Sequence, residues 1–459
     1  MAGGIWKSQN KVRPGAYINF KAVAASSSRL GDRGIMTMPV AMSWGPQKQV
    51  VELLSTDLLD GNSLKKIGYG ATDPEAQVFI QALSNCYKAL VYRLDVGGAK
   101  ATADIGSLLV TAKYYGVVGN DISVGIAENN IDSNLLDVVT YYRNSEQDRQ
   151  TVAKTGSIND LQDNDWVDFS GTGSLTAAAT TALKGGTNGT VSAETYTADD
   201  GYLKAVAALK WNVMAIPQTV DIATEAVKNA IIAQIRTLRE DEGKRVQAVL
   251  YNVDTNYEGI ITTEQGYRTV NETISPEVFV AYVAGLTAGS NVATSNTYRV
   301  IDGAVEIVYP EGVAPYTHSE VVTKLQSGKF ILTTRQDGAV VVEQDINTLH
   351  TPYPSADVNY SFTKNRVIRT LDDINNQVAT LFETGYIGKV SNNENGRAVF
   401  KADVINYLNL LQGAEAIAAF DPATDITVEA GTDIDSVVVT LAIRPVDSME
   451  KLYMTINVG

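Results

Sequence analysis

Apolar and polar side chains alternate most strictly in the last stretch of the chain. Leu452, Met454, Ile456 and Val458 are interleaved with Tyr453, Thr455 and Asn457, the period-two signature of a half-buried strand. Just before them, residues 436–444 form a run rich in β-branched side chains. Pro445 stops that run and bends the chain. Two strands so placed are either the closing hairpin of a domain's own sheet or an arm that adds a strand to a neighbouring molecule.

The body of the chain alternates strand-like and helix-like patterns. Residues 34–40 and 89–94 read as strands, and between them Asp73-Pro74-Glu75 opens a helix with an N-cap acid and a proline in the first turn. Val78, Phe79, Ala82, Leu83 and Cys86 make its apolar stripe. Residues 211–217 and 247–251 are further strands, separated by an amphipathic helix over 224–240 with Val227, Ile231, Ile235 and Leu238 on one face. Ser275-Pro276-Glu277 caps a helix over 278–286. Asp337-Gly338 turns a hairpin between 330–332 and 340–342. Two helices follow. One starts at a capping-box-like Thr370-Leu371-Asp372-Asp373 and buries Ile374, Val378, Leu381 and Phe382, and the other spans 398–411. This alternation predicts a layered α/β (α+β) core.

Two regions break the pattern. From 107 to 200 short β-rich runs are separated by turn clusters such as Gly119-Asn120-Asp121 and Gly185-Gly186-Thr187-Asn188-Gly189, which reads as a mostly β domain inserted into the body. Residues 1–30 hold Lys7, Lys11, Arg13, Lys21 and Arg29, and no acid precedes Asp32. The predicted organisation is therefore an N-terminal arm (1–30), a body in two parts (31–106 and 201–434), the insertion (107–200) and a C-terminal strand arm (435–459).

Composition narrows the function. The chain has 459 residues, 44% of them hydrophobic, and a net charge of −15, which supports real cores and argues against a nucleic-acid partner. No apolar run is long enough for a membrane helix, and residues 1–7 lack the apolar core of a secretory signal. The single cysteine, Cys86, is expected in a core rather than in a disulfide or an active site.

Motifs for catalysis, cofactors and metals are not met. His318 and His350 lack the spacing of a local metal motif. Gly243-Lys244, Gly328-Lys329 and Gly388-Lys389 each lack the rest of a phosphate-binding loop. The acids could supply a carboxylate pair for glycan hydrolysis, but spacing singles none out. No catalytic, cofactor-binding or metal-ligating residue is assigned.

Four stretches carry a resemblance. Residues 1–6 with Gln9-Asn10-Lys11-Val12-Arg13-Pro14-Gly15-Ala16-Tyr17, then Gly116-Val117-Val118-Gly119-Asn120-Asp121-Ile122, Lys364-Asn365-Arg366-Val367-Ile368-Arg369-Thr370, and Ile443-Arg444-Pro445-Val446-Asp447 with the final strand resemble contractile tail sheath proteins. The fit is to myophage-like tails or phage-derived R-type bacteriocins of Gram-positive type. The resemblance implies hexameric rings stacked helically around an inner tail tube protein, with baseplate and terminator proteins as further partners. It implies assembly in the bacterial cytoplasm and release as part of a virion or bacteriocin particle. It also implies an outward-facing inserted domain and terminal arms that exchange strands between subunits. The arm residues would be Trp6, Lys11, Arg13, Tyr17, Ile18, Phe20, Leu452, Met454, Ile456 and Val458, and the acids Asp421, Asp425, Glu429, Asp433 and Asp435 would match the basic N-terminus electrostatically. Lys389, Arg397 and Lys401 are candidates for facing the tube. Contraction would be a repacking between two lattices; a tail-associated glycan hydrolase is the alternative.

Overall fold

The computed structural model describes residues 33–217 and 225–458, together with the backbone of 3–4 and 16–17. The chain divides into two compact units, one of residues 32–373 and 445–459, the other of 1–31 and 374–444.

The larger unit is built on a six-stranded sheet in the order Ile260–Thr263, Gln247–Tyr251, Val213–Ala215, Ile35–Val40, Lys88–Arg93, Val50–Leu54. The first five strands are parallel and the last is antiparallel. Their near-continuous apolar runs are what a parallel sheet buried on both faces requires. Alternate residues serve different cores. Met36, Met38, Ala89, Val91 and Val249 join the core that holds Phe79 and Phe279. Ile35, Leu90, Tyr92, Met214, Ala248 and Leu250 join the one that holds Ile231, Ile235 and Leu238. Pro39 sits in an interior strand, but the neighbour Val213–Ala215 pairs only with Met36 and Thr37, so no ladder bond is lost there.

Helices Gln77–Leu83 and Pro276–Gly289 pack at backbone distance. A Cβ on Gly285 would lie 2.1 Å from the Ala82 carbonyl oxygen, and one on Gly289 would lie 1.7 Å from that of Asn85. Ser275 caps the second helix as its sequence indicates, accepting from the Val278 amide. Cys86 is buried and donates to the Ala82 carbonyl (3.1 Å), and burial pushes its thiol up to about 12.

Strands between Thr102 and Ala182 form two antiparallel sheets, one of four strands (135–142 between 145–153 and 122–128, with 178–182 at the far edge) and one of three. The segment leaves and re-enters the body along bridges Val96–Thr190, Ala99–Thr187 and Thr102–Lys184. Arg93 and Asp95 close this joint. Both are buried; Arg93 also donates to the carbonyls of Gly45 and Tyr115, and Asp95 accepts from the amides of Met42 and Gly189. Tyr196 lies in the core beside Tyr202 and Tyr92. The hairpin at Asp337-Gly338 forms, pairing Leu332–Thr334 with Val340–Val342.

Three expectations are corrected. The helix expected at Thr370 starts at Asn365 and runs to Gly385. Thr370 is buried inside it and donates to the Arg366 carbonyl (3.1 Å), one turn back, instead of capping. The helix Glu225–Arg236 passes into a π-helical turn, Thr237–Asp241, which buries Leu238 and turns Arg239 inward as well. Residues 452–458 form no strand: their apolar row pairs with nothing among the described residues.

In the smaller unit, helix Glu394–Gly413, capped by Asn393, packs on the hairpin Ile426–Ala430/Val437–Leu441. Gly3–Gly4 pairs in parallel with Ala16–Tyr17.

Candidate assembly surface

In the smaller unit, Phe382, Tyr386 and Phe400 cluster with ring centroids 4.8–6.2 Å apart. The Tyr386 hydroxyl donates to Asp403, and burial together with that acceptor pushes its pKa up. These rings line a groove of about 570 Å³, completed by Ile387, Val390, Arg397 and Val437. Ile387, Val390, Val399 and Ile434 are exposed on the same unit.

The hairpin beside the groove carries an open edge. The amides of Gly431 and Ala442 donate to the carbonyls of Ser436 (2.9 Å) and Asp425 (2.8 Å). The alternation of an antiparallel ladder then makes Thr427/Thr440 and Glu429/Val438 the hydrogen-bonded pairs between them. Val437, Val439 and Leu441 therefore turn their amides and carbonyls outward, and these have no partner among the described residues. Their side chains share a face with Ile426, Val428 and Ala430. Arg444 closes the hairpin's base, donating to Asp425 (2.9 Å) and to the Ala419 carbonyl (2.9 Å). That donation holds the Asp425 carboxyl below its ordinary value.

The tail belongs to the larger unit. Glu450 seats it: its carboxylate accepts from Lys364, from Gln344 Nε2 (2.9 Å) and from Thr297 Oγ1 (2.8 Å). Burial alone would lower the Lys364 pKa, but the Glu450 carboxylate more than offsets it and the net shift is upward. Burial raises the neighbouring Asp447. Beyond Glu450 the chain is bare. Leu452 is 84%, Met454 69%, Ile456 70% and Val458 91% exposed.

The residues named from the sequence are placed unevenly. Trp6, Lys11, Arg13, Ile18 and Phe20 lie outside the described residues, and Tyr17 is described only as a backbone partner of Gly4. Lys389 is exposed and donates to the Thr384 carbonyl (2.5 Å); Lys401 is half-buried. Arg397 holds Asn392 Oδ1 (2.9 Å), whose Nδ2 donates to the carbonyls of Ile434 and Ser436, so it also braces the loop that leads into the open strand. His318 begins an exposed helix, while His350 Nδ1 lies beside the Thr351 carbonyl. No group of three metal-ligating side chains comes together among the described residues, and no described helix is long and apolar enough to cross a membrane.

The sequence singles out neither Glu450 nor Asp345, and Lys364 and Arg369 stand out in it only within the 364–370 stretch that carries the resemblance. A signal was there: Lys364, Arg366 and Arg369 crowd cations into a helix N-terminus, where the macrodipole disfavours them. Bases at that position imply carboxylates brought from elsewhere.

An α/β body carries a two-sheet β segment, and the chain presents an open strand edge in its smaller unit and a bare apolar tail in its larger one. Tail sheath family models match it in four consecutive stretches. These are the tail sheath protein Gp18 domain III N-terminal region (33–94), the phage tail sheath protein beta-sandwich domain (96–188), the phage tail sheath protein central domain (189–348) and the phage tail sheath C-terminal domain (357–459). The crystal structure of the sheath tail protein from Desulfitobacterium hafniense is 40% identical, with a TM-score of 0.79 over 96% of this chain and 99% of that one. That from Listeria innocua is 32% identical, with a TM-score of 0.79 over 94% and 96%. Phage-like element PBSX protein XkdK of Bacillus subtilis is 34% identical over 100% of both chains. The fold alone extends to the helical sheath of the anti-feeding prophage in its contracted state (11% identity, TM-score 0.54, 97% and 99% coverage). The chain belongs to the phage tail sheath family.

Proposed function

We propose that this chain polymerises as hexameric rings stacked helically around an inner tail tube, docked to baseplate and terminator proteins, and that contraction of this polymer drives the tube through a bacterial envelope. Assembly takes place in the cytoplasm, and the particle is then released. Residues 1–30 and 435–459 act as linking arms. The β-rich segment faces outward, and Lys389, Arg397 and Lys401 lie on the tube side. The observation that carries this reading is a pair of unmet needs in one chain. Among the described residues, the row Leu452, Met454, Ile456, Val458 has no cover, and the edge Val437, Val439, Leu441 has no strand beside it. A tail that seats on the edge of the next copy satisfies both. Such a head-to-tail contact propagates instead of closing, and it covers an edge that would otherwise invite aggregation. Charge agrees: Lys451 is the one ionic side chain in 451–458, and residues 426–441 carry only Glu429, Asp433 and Asp435.

Glycan hydrolysis draws no support from the two deepest carboxylates, because Asp345 and Asp95 are both occupied by arginines. The test is truncation before Leu452, followed by thermal melting and electron microscopy. The truncated chain is expected to melt as the full chain does and to form no sheath. Normal polymers would overturn the linking-arm reading.

A further inference from the structure

The bare tail and the hairpin Val437–Leu441 are separated by nine residues of one chain. A pull on the tail would travel along that chain and peel the hairpin's outer strand, unless something between them takes the load. Glu450 lies between them. It is 10% exposed and its partner Lys364 is 4% exposed, so the pair is shielded from the solvent that makes surface ion pairs weak.

The pair does not end at Lys364. Thr297 Oγ1, which donates to Glu450, accepts from the Asp345 amide (3.0 Å). Asp345 in turn accepts from Asn365 Nδ2 (2.9 Å), from the Asn296 amide (3.0 Å) and from Arg369 Nη2 (3.0 Å). Arg369 donates further to the Thr294 carbonyl (2.6 Å). Two routes therefore run from Glu450 to the first two turns of the helix Asn365–Gly385, one through Lys364 directly and one through Thr297 and Asp345.

We infer that Glu450 is the anchor of the C-terminal arm: it passes load from Leu452–Val458 into the N-terminal turns of the helix Asn365–Gly385 and shields the hairpin's own ladder. The inference rests on the reading of residues 452–458 as an inter-subunit arm. Glu450 is on this account a positioning residue, needed for a sheath to survive contraction more than for a subunit to fold.

The experiment uses the full chain, with Glu450→Ala, the isosteric Glu450→Gln, and Glu450→Lys combined with Lys364→Glu. Hydrogen exchange of residues 446–451 is followed in the soluble subunit, and sheath integrity is scored by electron microscopy before and after triggered contraction. Glu450→Ala and Glu450→Gln leave the buried Lys364 ammonium without its counter-charge, so both are expected to fold but to melt below the wild type, and to exchange at 446–451 roughly tenfold faster, the scale of one lost charged hydrogen bond. Their sheaths should assemble and then break apart on contraction, and the exchanged pair should restore integrity. Unchanged exchange, or variant sheaths that contract intact, would overturn the anchor. Truncation before Leu452 separates the two ideas. If truncated chains build normal sheaths the arm reading itself is lost, whereas intact contraction by the Glu450 variants beside a failed truncation removes the anchor alone.

Discussion

Arg239 reaches Asp372 across 133 residues of chain, placing Nη1 2.6 Å and Nη2 2.9 Å from the two carboxylate oxygens. Both side chains are buried, and Arg239 Nη1 also donates to the Val246 carbonyl. The π-helical turn Thr237–Asp241 is what turns the guanidinium inward at that point. Asp372→Ala leaves the buried guanidinium with only the Glu258 carboxylate, 3.8 Å away, as counter-charge, so it should lower stability by about 3 kcal/mol. Urea unfolding of the soluble subunit measures this. A loss of well under about 1 kcal/mol would mean that the pair is dispensable.

Lys244 makes stability depend on alkaline pH. Its ammonium donates to the Ala207 carbonyl (2.8 Å) and to that of Leu209, and lies 4.8 Å from the Trp211 ring centroid. Burial pulls its pKa down to about 8 from 10.5. Between those values the unfolded chain binds more protons than the folded one, so stability rises with pH across that window. Comparing thermal melts of the wild type and Lys244→Met from pH 7 to 10.5 isolates the effect. The wild type should gain on the variant as pH rises through 8, and parallel curves would contradict the shift.

The close approach at Gly289 sets a third test. Gly289→Ala puts a methyl 1.7 Å from the Asn85 carbonyl oxygen, and backbone cannot move aside as a flexible side chain can. Helices Gln77–Leu83 and Pro276–Gly289 must separate, at a cost of about 1–3 kcal/mol or more. Melting of the variant reads this directly; an unchanged midpoint would show that the helices have room.

Much of this architecture was legible in the chain because it is local. Four of the five parallel strands announce themselves as apolar runs, Ser275 sits where a cap belongs, and Asp337-Gly338 turns its hairpin; the last helix, expected over 398–411, starts earlier, at Glu394, on an Asn393 cap that the apolar pattern does not mark. The failures share a physical cause. Thr370 has the composition of a cap, but its hydroxyl satisfies itself on the helix's own Arg366 carbonyl, and no local pattern distinguishes the two uses. Alternation at 452–458 marks a strand yet says nothing of whose sheet receives it. Glu450 and Lys364 stand 86 residues apart, so their meeting is a property of topology. Only the oddity of three cations at a helix start hinted at it.

The open edge can be tested without touching the tail. In the strand Val437–Leu441, the Val439 amide points away from the hairpin's ladder, while the Val438 amide bonds to Glu429 across it. Proline removes an amide hydrogen, and a strand tolerates it where that hydrogen faces outward. Val439→Pro should therefore leave the subunit folded and remove the central donor that an added strand would need, whereas Val438→Pro should break the hairpin itself. The residue before each proline is already extended, as proline requires of its neighbour. Circular dichroism and hydrogen exchange of residues 426–441 establish that the Val439→Pro hairpin is intact, and sedimentation with electron microscopy then reports on polymers. Folded subunits without sheaths are the expected outcome for Val439→Pro. Sheaths of normal length from that variant would show that this edge does not receive the neighbouring arm, whatever the fate of the tail truncation.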